Sequence, residues 1–176
     1  MNHKLIIPVI SAACALILSA SGVSAQKKLK QGLRLPPAVA AALKTECPDC
    51  VISKVTKEKE GGVTIYDFEF RTAQGEMDIA ADGTVTERET PMKIDEVPGP
   101  VMEAIRKSAA GAKIKLIGKD EIRFEVKDGK VTKLDSPKYA YEADLVKGEK
   151  VAEVVVTPDG HVTEGPKWKR KGSKED

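Results

Sequence analysis

The sequence predicts an α+β fold of two tandem units, each a helix packed on an antiparallel sheet of about four strands. Three observations lead there. Residues 35–44 (LPPAVAAALK) and 97–106 (VPGPVMEAIR) both set proline ahead of apolar positions at helical spacing, Val39/Ala42/Leu43 and Val101/Ala104/Ile105. Each segment is followed downstream by a matching turn and strand, DGTVTE at 82–87 and DGHVTE at 159–164. Between the first pair, residues 63–71 place Tyr66, Phe68 and Phe70 on one face and Asp67, Glu69 and Arg71 on the other. That period of two predicts a strand packed on one side and solvated on the other.

Taken in order, Pro36 and Pro37 suit a helix start, where the first N–H groups have no intrahelical partner. The helix is expected from Pro37 to Glu46, with Cys47 on the same stripe and Pro48-Asp49 as the stop. A strand rich in β-branched residues follows at 51–57, then an exposed turn through Gly61-Gly62. The strand at 63–71, a turn at 73–75, a strand at 76–80, the Asp82-Gly83 turn and a strand at 84–88 complete a first unit, 35–90. Residues 91–96 read as a linker. Pro98 and Pro100 open a second helix ending near Ala109, with Gly111 as its stop.

The second unit, 97–165, keeps the register of the first and then loses it. Residues 112–117 match 50–55 at an offset of 62, Tyr139-Ala140-Tyr141-Glu142-Ala143 matches Tyr66 to Phe70 at 73, and the Asp-Gly turns match at 77. The extra length falls in 118–138, read as an inserted hairpin turning at Asp128-Gly129, with Ser136-Pro137 resetting the chain. A closing hairpin spans 150–164. One helix on a small sheet leaves apolar surface at its edges, which a second copy can cover.

Residues 1–25 stand apart from this fold. A short polar start with Lys4, an apolar run from Leu5 to Leu18, and small residues at Val23-Ser24-Ala25 form a secretory signal, with cleavage expected after Ala25. The run is too short to cross a hydrocarbon core comfortably, so no stable membrane span is expected in the mature chain. The expected location is the periplasm or outside the cell. Removing Lys4 leaves 28 basic against 27 acidic residues, a balance that selects neither nucleic acid nor an acidic substrate. Basic residues gather in the segment 26–34 and in a tail at 166–176, both read as frayed ends. With six Phe and Tyr plus Trp168, the core must rely on aliphatic side chains.

Few residues offer chemistry. His161, the histidine of the mature chain, follows a turn without metal-ligand or catalytic neighbours in sequence. There is no G-x-S-x-G elbow, and the Asp-Gly turns lack the alternating oxygen ligands of a calcium loop. The carboxylate pairs Asp67/Glu69 and Glu142/Asp144 are read as solvated strand faces. Cys47 and Cys50 form a C-x-x-C at the C-terminal end of the expected helix, the wrong pole to lower a thiol pKa. Residue 51 is Val, which excludes haem attachment, and no second cysteine pair is present for zinc. A local structural disulfide, two free thiols, and redox or metal use all stay open. Ala109 and Ala112 stand at the matching places of the second unit.

The ordered pattern resembles the PepSY-like family of secreted bacterial proteins, grouped with the β-lactamase-inhibitor-protein-like fold. It rests on the Leu/Val-Pro opening, helix residues Val39, Ala42, Leu43 and Lys44, the Pro48 turn, the strand Val51–Val55, the segment Tyr66-Asp67-Phe68-Glu69, and Asp82-Gly83-x-Val85. The first copy has Cys47 where the family usually carries a large aromatic, and the second has Ala109-Ala110. The resemblance implies a non-enzymatic secreted or periplasmic module without cofactor or catalytic residues, from a family whose better understood relatives bind or inhibit enzymes. Its partner is expected to be an envelope or secreted protein, with Asp67, Glu69, Arg71 and Phe124 as a candidate binding surface. The alternative is a small thiol/disulfide or metal-handling protein using Cys47 and Cys50.

Overall fold

The structure is a computed structural model that describes residues 34–71 and 75–172. The expected signal segment, most of the basic N-terminal segment and the last four residues lie outside the described residues. Among the described residues the fold is α+β, with two α-helices and antiparallel sheet. Of the described residues, those of 34–90 and 121–138 cluster into one compact unit, and those of 91–120 and 139–172 into another.

In the first unit, α1 spans Pro37–Glu46 and its first bond runs from the Ala40 N–H to the Pro36 carbonyl. Proline fixes φ near helical values and lacks only a donor that would be unpaired there, so the two prolines set the start. Strands β1 (Ile52–Glu60), β2 (Val63–Phe70), β3 (Glu76–Ala80) and β4 (Val85–Pro91) pair in sequence order, all antiparallel. Tyr66, Phe68 and Phe70 project to one face with Met77, Ile79 and Val85, and Val39 of α1 packs against them. Phe68 and Phe70 stack, with ring centroids 6.5 Å apart.

The long strands β5 (Lys113–Lys127) and β6 (Lys130–Lys147) form a hairpin that turns at Asp128-Gly129. Residues 118–138 are therefore the distal part of a continuous hairpin. Ser136-Pro137 does not reset the chain. Asp135, Ser136 and Pro137 are exposed, and proline's fixed φ is compatible with extended backbone where its missing donor is not needed. The distal part, 121–138, belongs to the first unit, where the Gly129 N–H donates to the Gly61 carbonyl and Arg123 lies 3.6 Å from Glu46 of α1.

In the second unit, α2 spans Gly99–Ala109 and buries Val101, Met102, Ile105 and Ala109 against Ile117, Tyr141, Ala143, Leu145, Val154 and Val156. Ala110 rather than Gly111 is its C-cap, in the left-handed region at φ 46°. Strand β7 (Lys150–Val156) pairs with β6 and with β8 (Val162–Glu164). The tail is not simply frayed. Trp168 packs on the core, and β9 (Lys169–Arg170) pairs with Val151 and Lys150 of β7. Carbonyl and N–H groups along the free edge of β7 explain why a basic dipeptide folds back here.

Tyr66 pairs with Ile79, and Tyr141 pairs with Val156. Phe68 and Phe70 lie in the first core, and Ala143 and Leu145 in the second. A shared device closes both turns. Gly83 (φ 92°) and Gly160 (φ 87°) lie so close to a helix start that a Cβ would meet the Ala38 carbonyl oxygen at 2.9 Å and the Pro100 carbonyl oxygen at 2.8 Å. Only glycine supplies both the backbone conformation and the clearance.

Candidate functional site: the acidic sheet face of the first unit

Each strand of the first unit carries two carboxylates at alternate positions: Glu58 and Glu60 on β1, Asp67 and Glu69 on β2, Glu76 and Asp78 on β3, Glu87 and Glu89 on β4. The ladder puts them on one face. Asp67 pairs with Asp78 and Asp78 with Glu87, while Glu76 pairs with both Glu69 and Glu89. The opposite face holds the aromatic core, so the alternation assigns all eight to the side away from α1.

This face is not the solvated one expected from the sequence. Asp67 is 4% exposed and Glu69 6%, and Ile65 and Ala80 on the same face have no exposure at all. Alternation assigns residues to faces but does not say whether the polar face is open, and here it is covered at Asp67 and Glu69 and half-buried at the other six carboxylates. Of the residues that the register assigns to this face, Lys54 is the basic one. Its ammonium donates to Glu69 Oε1 at 2.5 Å. Burial pulls the Lys54 pKa down, but the hydrogen bond and charge of Glu69 outweigh it and leave it above its ordinary value.

Four of the carboxylates, Glu60, Asp67, Asp78 and Glu87, resist ionisation. Burial, then the charge of Glu69, pushes Asp67 up to about 7, against a smaller downward pull from Lys54. Burial and the neighbouring charge of Asp67 push Asp78 well above its ordinary value. Glu87 is pushed up to about 7 by burial and by Glu60, and Glu60 itself is raised by burial and by Glu58. Asp67 Oδ1 is buried without a hydrogen-bond partner. Such an oxygen is costly to leave unpaired, more so when charged.

Among the residues singled out from sequence, Asp67 and Glu69 thus come together. Arg71 is exposed at the end of β2, its backbone N–H donating to the Val51 carbonyl, and Phe124 is half-buried on the distal part of β5. Cys47 and Cys50 are joined as a disulfide with Cα atoms 5.3 Å apart, and both pack against the first core. Arg88 Nη2 approaches Cys47 Sγ at 3.8 Å. His161 is exposed in its turn, its N–H donating to Thr157 Oγ1. Asp78, Glu87 and Lys54 were not foreseen. The signal for them was present, as an Asp/Glu pair spaced by two residues in each of four successive strands.

The second unit has a smaller acidic group. One oxygen from each of Glu142, Asp144 and Glu153 lies within 4.8 Å of the others, and Asp144 is bridged by Lys115 at 3.0 Å. Asp67 pairs with Asp78 in the first unit, whereas Glu142 pairs with Val155, which is 2% exposed, in the second.

No family model matches the chain, and no curated protein matches it significantly. Solved structures do. A protein of Bacteroides eggerthii described as periplasmic matches with a TM-score of 0.51 at 16% identity, covering 78% of this chain and 89% of that one. A DUF2874 family protein of Bacteroides uniformis matches with a TM-score of 0.50 at 16% identity, covering 74% and 88%. A BLIP-like protein of Bacteroides fragilis reaches a TM-score of 0.49 at 17% identity, covering 83% and 94%. At these identities the shared property is the fold, and the chain has the fold of the B. eggerthii and B. uniformis proteins.

Proposed function

We propose that the chain is a non-enzymatic binding module of the periplasm or the secreted fraction, built as two tandem helix-on-sheet units, which acts on an envelope or secreted protein. The observation that carries the reading is the acidic face, where Glu58, Glu76, Glu87 and Glu89 are half-buried and reach solvent beside the covered Asp67 and Glu69. It concentrates charge that a simple structural sheet has no need of, and no nucleophile–base pair adjoins it among the described residues. The description of the B. eggerthii protein as periplasmic supports the compartment, as does the signal-like start. The paired Gly83 and Gly160 contacts support the tandem reading. The C-x-x-C pair fits a structural staple better than a redox couple, because it follows the C-terminal end of α1, where the dipole disfavours a thiolate.

The test is expression of the full chain in a bacterial host with a C-terminal tag, osmotic-shock fractionation, and mass measurement of the mature form. The expected result is a shock-released protein beginning at Gln26, with discrete crosslinked species that charge reversal at Glu76 and Glu89 removes. Cytosolic retention, or crosslinks indifferent to that charge reversal, overturns the reading.

A further inference from the structure

We infer that the Cys47–Cys50 staple is opened by exchange with a dithiol, which attacks Cys50 and releases Cys47 as a thiolate held by Arg88. The two cysteines follow the C-terminal end of α1, and both are half-buried. Arg88 stands on β4 opposite Met77, a residue of the first core. Its Nη2 donates to Cys47 Sγ at 3.8 Å, while its Nη1 is buried without a hydrogen-bond partner. Among the described residues no carboxylate pairs with this guanidinium. A buried donor without an acceptor is costly, and a thiolate at Cys47 supplies the charge that is missing.

The two units differ here in a concerted way. The second has Ala109 and Ala112 at the places of Cys47 and Cys50. Counting from the Asp-Gly turns, Asp82 leads to Arg88 and Asp159, at the same spacing, leads to Gly165. The arginine thus accompanies the cysteine pair and is not a requirement of the helix-on-sheet unit.

In thiol–disulfide exchange the sulfur that makes the more stable thiolate leaves faster. The C-terminal pole of α1 opposes a thiolate at Cys47, but with only about half a unit charge. Arg88 sets a full charge against the same sulfur. No basic side chain bonds to Cys50 among the described residues, and Cys50 lies between exposed Asp49 and Val51, where a partner can approach.

The first thiolate of the dithiol bonds to Cys50 Sγ, the Cys47–Cys50 bond breaks, and its electron pair leaves on Cys47 Sγ. The second thiol loses its proton and attacks the dithiol's own sulfur, and Cys50 departs and takes up a proton. Two electrons pass to the staple, the dithiol becomes a disulfide, and one proton goes to solvent. The Cys50 N–H donates to the Cys47 carbonyl at 3.2 Å, a backbone bond that keeps the turn ready to close again. The inference goes beyond the binding-module reading and does not depend on it.

The experiment exposes the mature oxidised chain, without denaturant, to dithiothreitol or to glutathione, quenches with N-ethylmaleimide, and locates the adducts by peptide fragmentation. Glutathione is expected on Cys50 and maleimide on Cys47. Dithiothreitol should open the wild type about tenfold faster than Arg88→Gln, with Arg88→Lys closer to the wild type. In the reduced wild type, alkylation of Cys47 should persist to lower pH than in Arg88→Gln. Urea unfolding of each oxidised protein verifies folding, and if Arg88→Gln fails to fold, the wild-type adduct position decides. The inference is overturned by glutathione on Cys47 or on both cysteines alike, by equal opening rates in the wild type and a folded Arg88→Gln, or by opening that requires urea.

Discussion

Replacing Asp67 by asparagine should stabilise the protein at alkaline pH and leave it unchanged at acidic pH. Asp67 carries a pKa of about 7 in the fold against an ordinary value of 3.8, chiefly because it is buried. A carboxyl whose folded pKa is raised gives a contribution fully present below about pH 4 and lost as pH rises through about 7. At about 1.4 kcal/mol per pH unit, that gap caps the cost of the ionised side chain at about 4 kcal/mol at pH 8 and above. Glu69, Glu58 and Lys54 respond to the loss of the Asp67 charge, and the asparagine amide needs partners of its own. The net gain should therefore be about 1–3 kcal/mol, or roughly 2–4 °C in Tm per kcal/mol for a chain of this size. The assay is thermal unfolding of the wild type and Asp67→Asn in chelator, from pH 3 to pH 9. The two curves should coincide below about pH 4, separate as pH rises to about 7, and keep that gap above it, with the variant the more stable. A constant difference across the range, or a variant less stable at pH 8, would refute an ionisation penalty at this position.

Further outcomes follow from features elsewhere in the fold. Gly160→Ala drives a Cβ to 2.8 Å from the Pro100 carbonyl oxygen at φ 87°, so urea unfolding should show a loss of about 1–3 kcal/mol, with Gly83→Ala behaving alike. Cys47→Ser/Cys50→Ser opens a short loop and should cost about 2 kcal/mol, read as a lower urea midpoint that reductant no longer shifts. Deleting residues 167–176 removes Trp168 from the second core and β9 from the edge of β7. Hydrogen exchange should then quicken along β7, more than for Trp168→Phe.

Much of the fold was legible because its signals are local. Pro36-Pro37 and Pro48 bracket α1, and its bounds agree with the expected ones. The alternation of Tyr66, Phe68 and Phe70 identified a core face that β2 does present to α1. What failed depended on context. Pro137 looked like a break, yet an exposed extended strand accommodates it. Which of Tyr139 and Tyr141 enters a core depended on pairing invisible in sequence, and it is Tyr141, opposite Val156, that is buried. Asp67 and Glu69 were read as solvated because polar strand positions usually are. Their cover arises from the tertiary fold, as the burial of Ile65 and Ala80 beside them shows.

The assignment of 121–138 to the first unit has a consequence for how the protein is made. The chain visits the first unit, leaves it at Pro91 for the second, returns at Glu121, and leaves again at Tyr139. No single cut separates the units, so a fragment ending at Thr90 lacks the strands that bear Gly129 and Arg123. During synthesis the hairpin that completes the first unit emerges some thirty residues after β4, so the first unit is incomplete until most of α2 and β5 has been made.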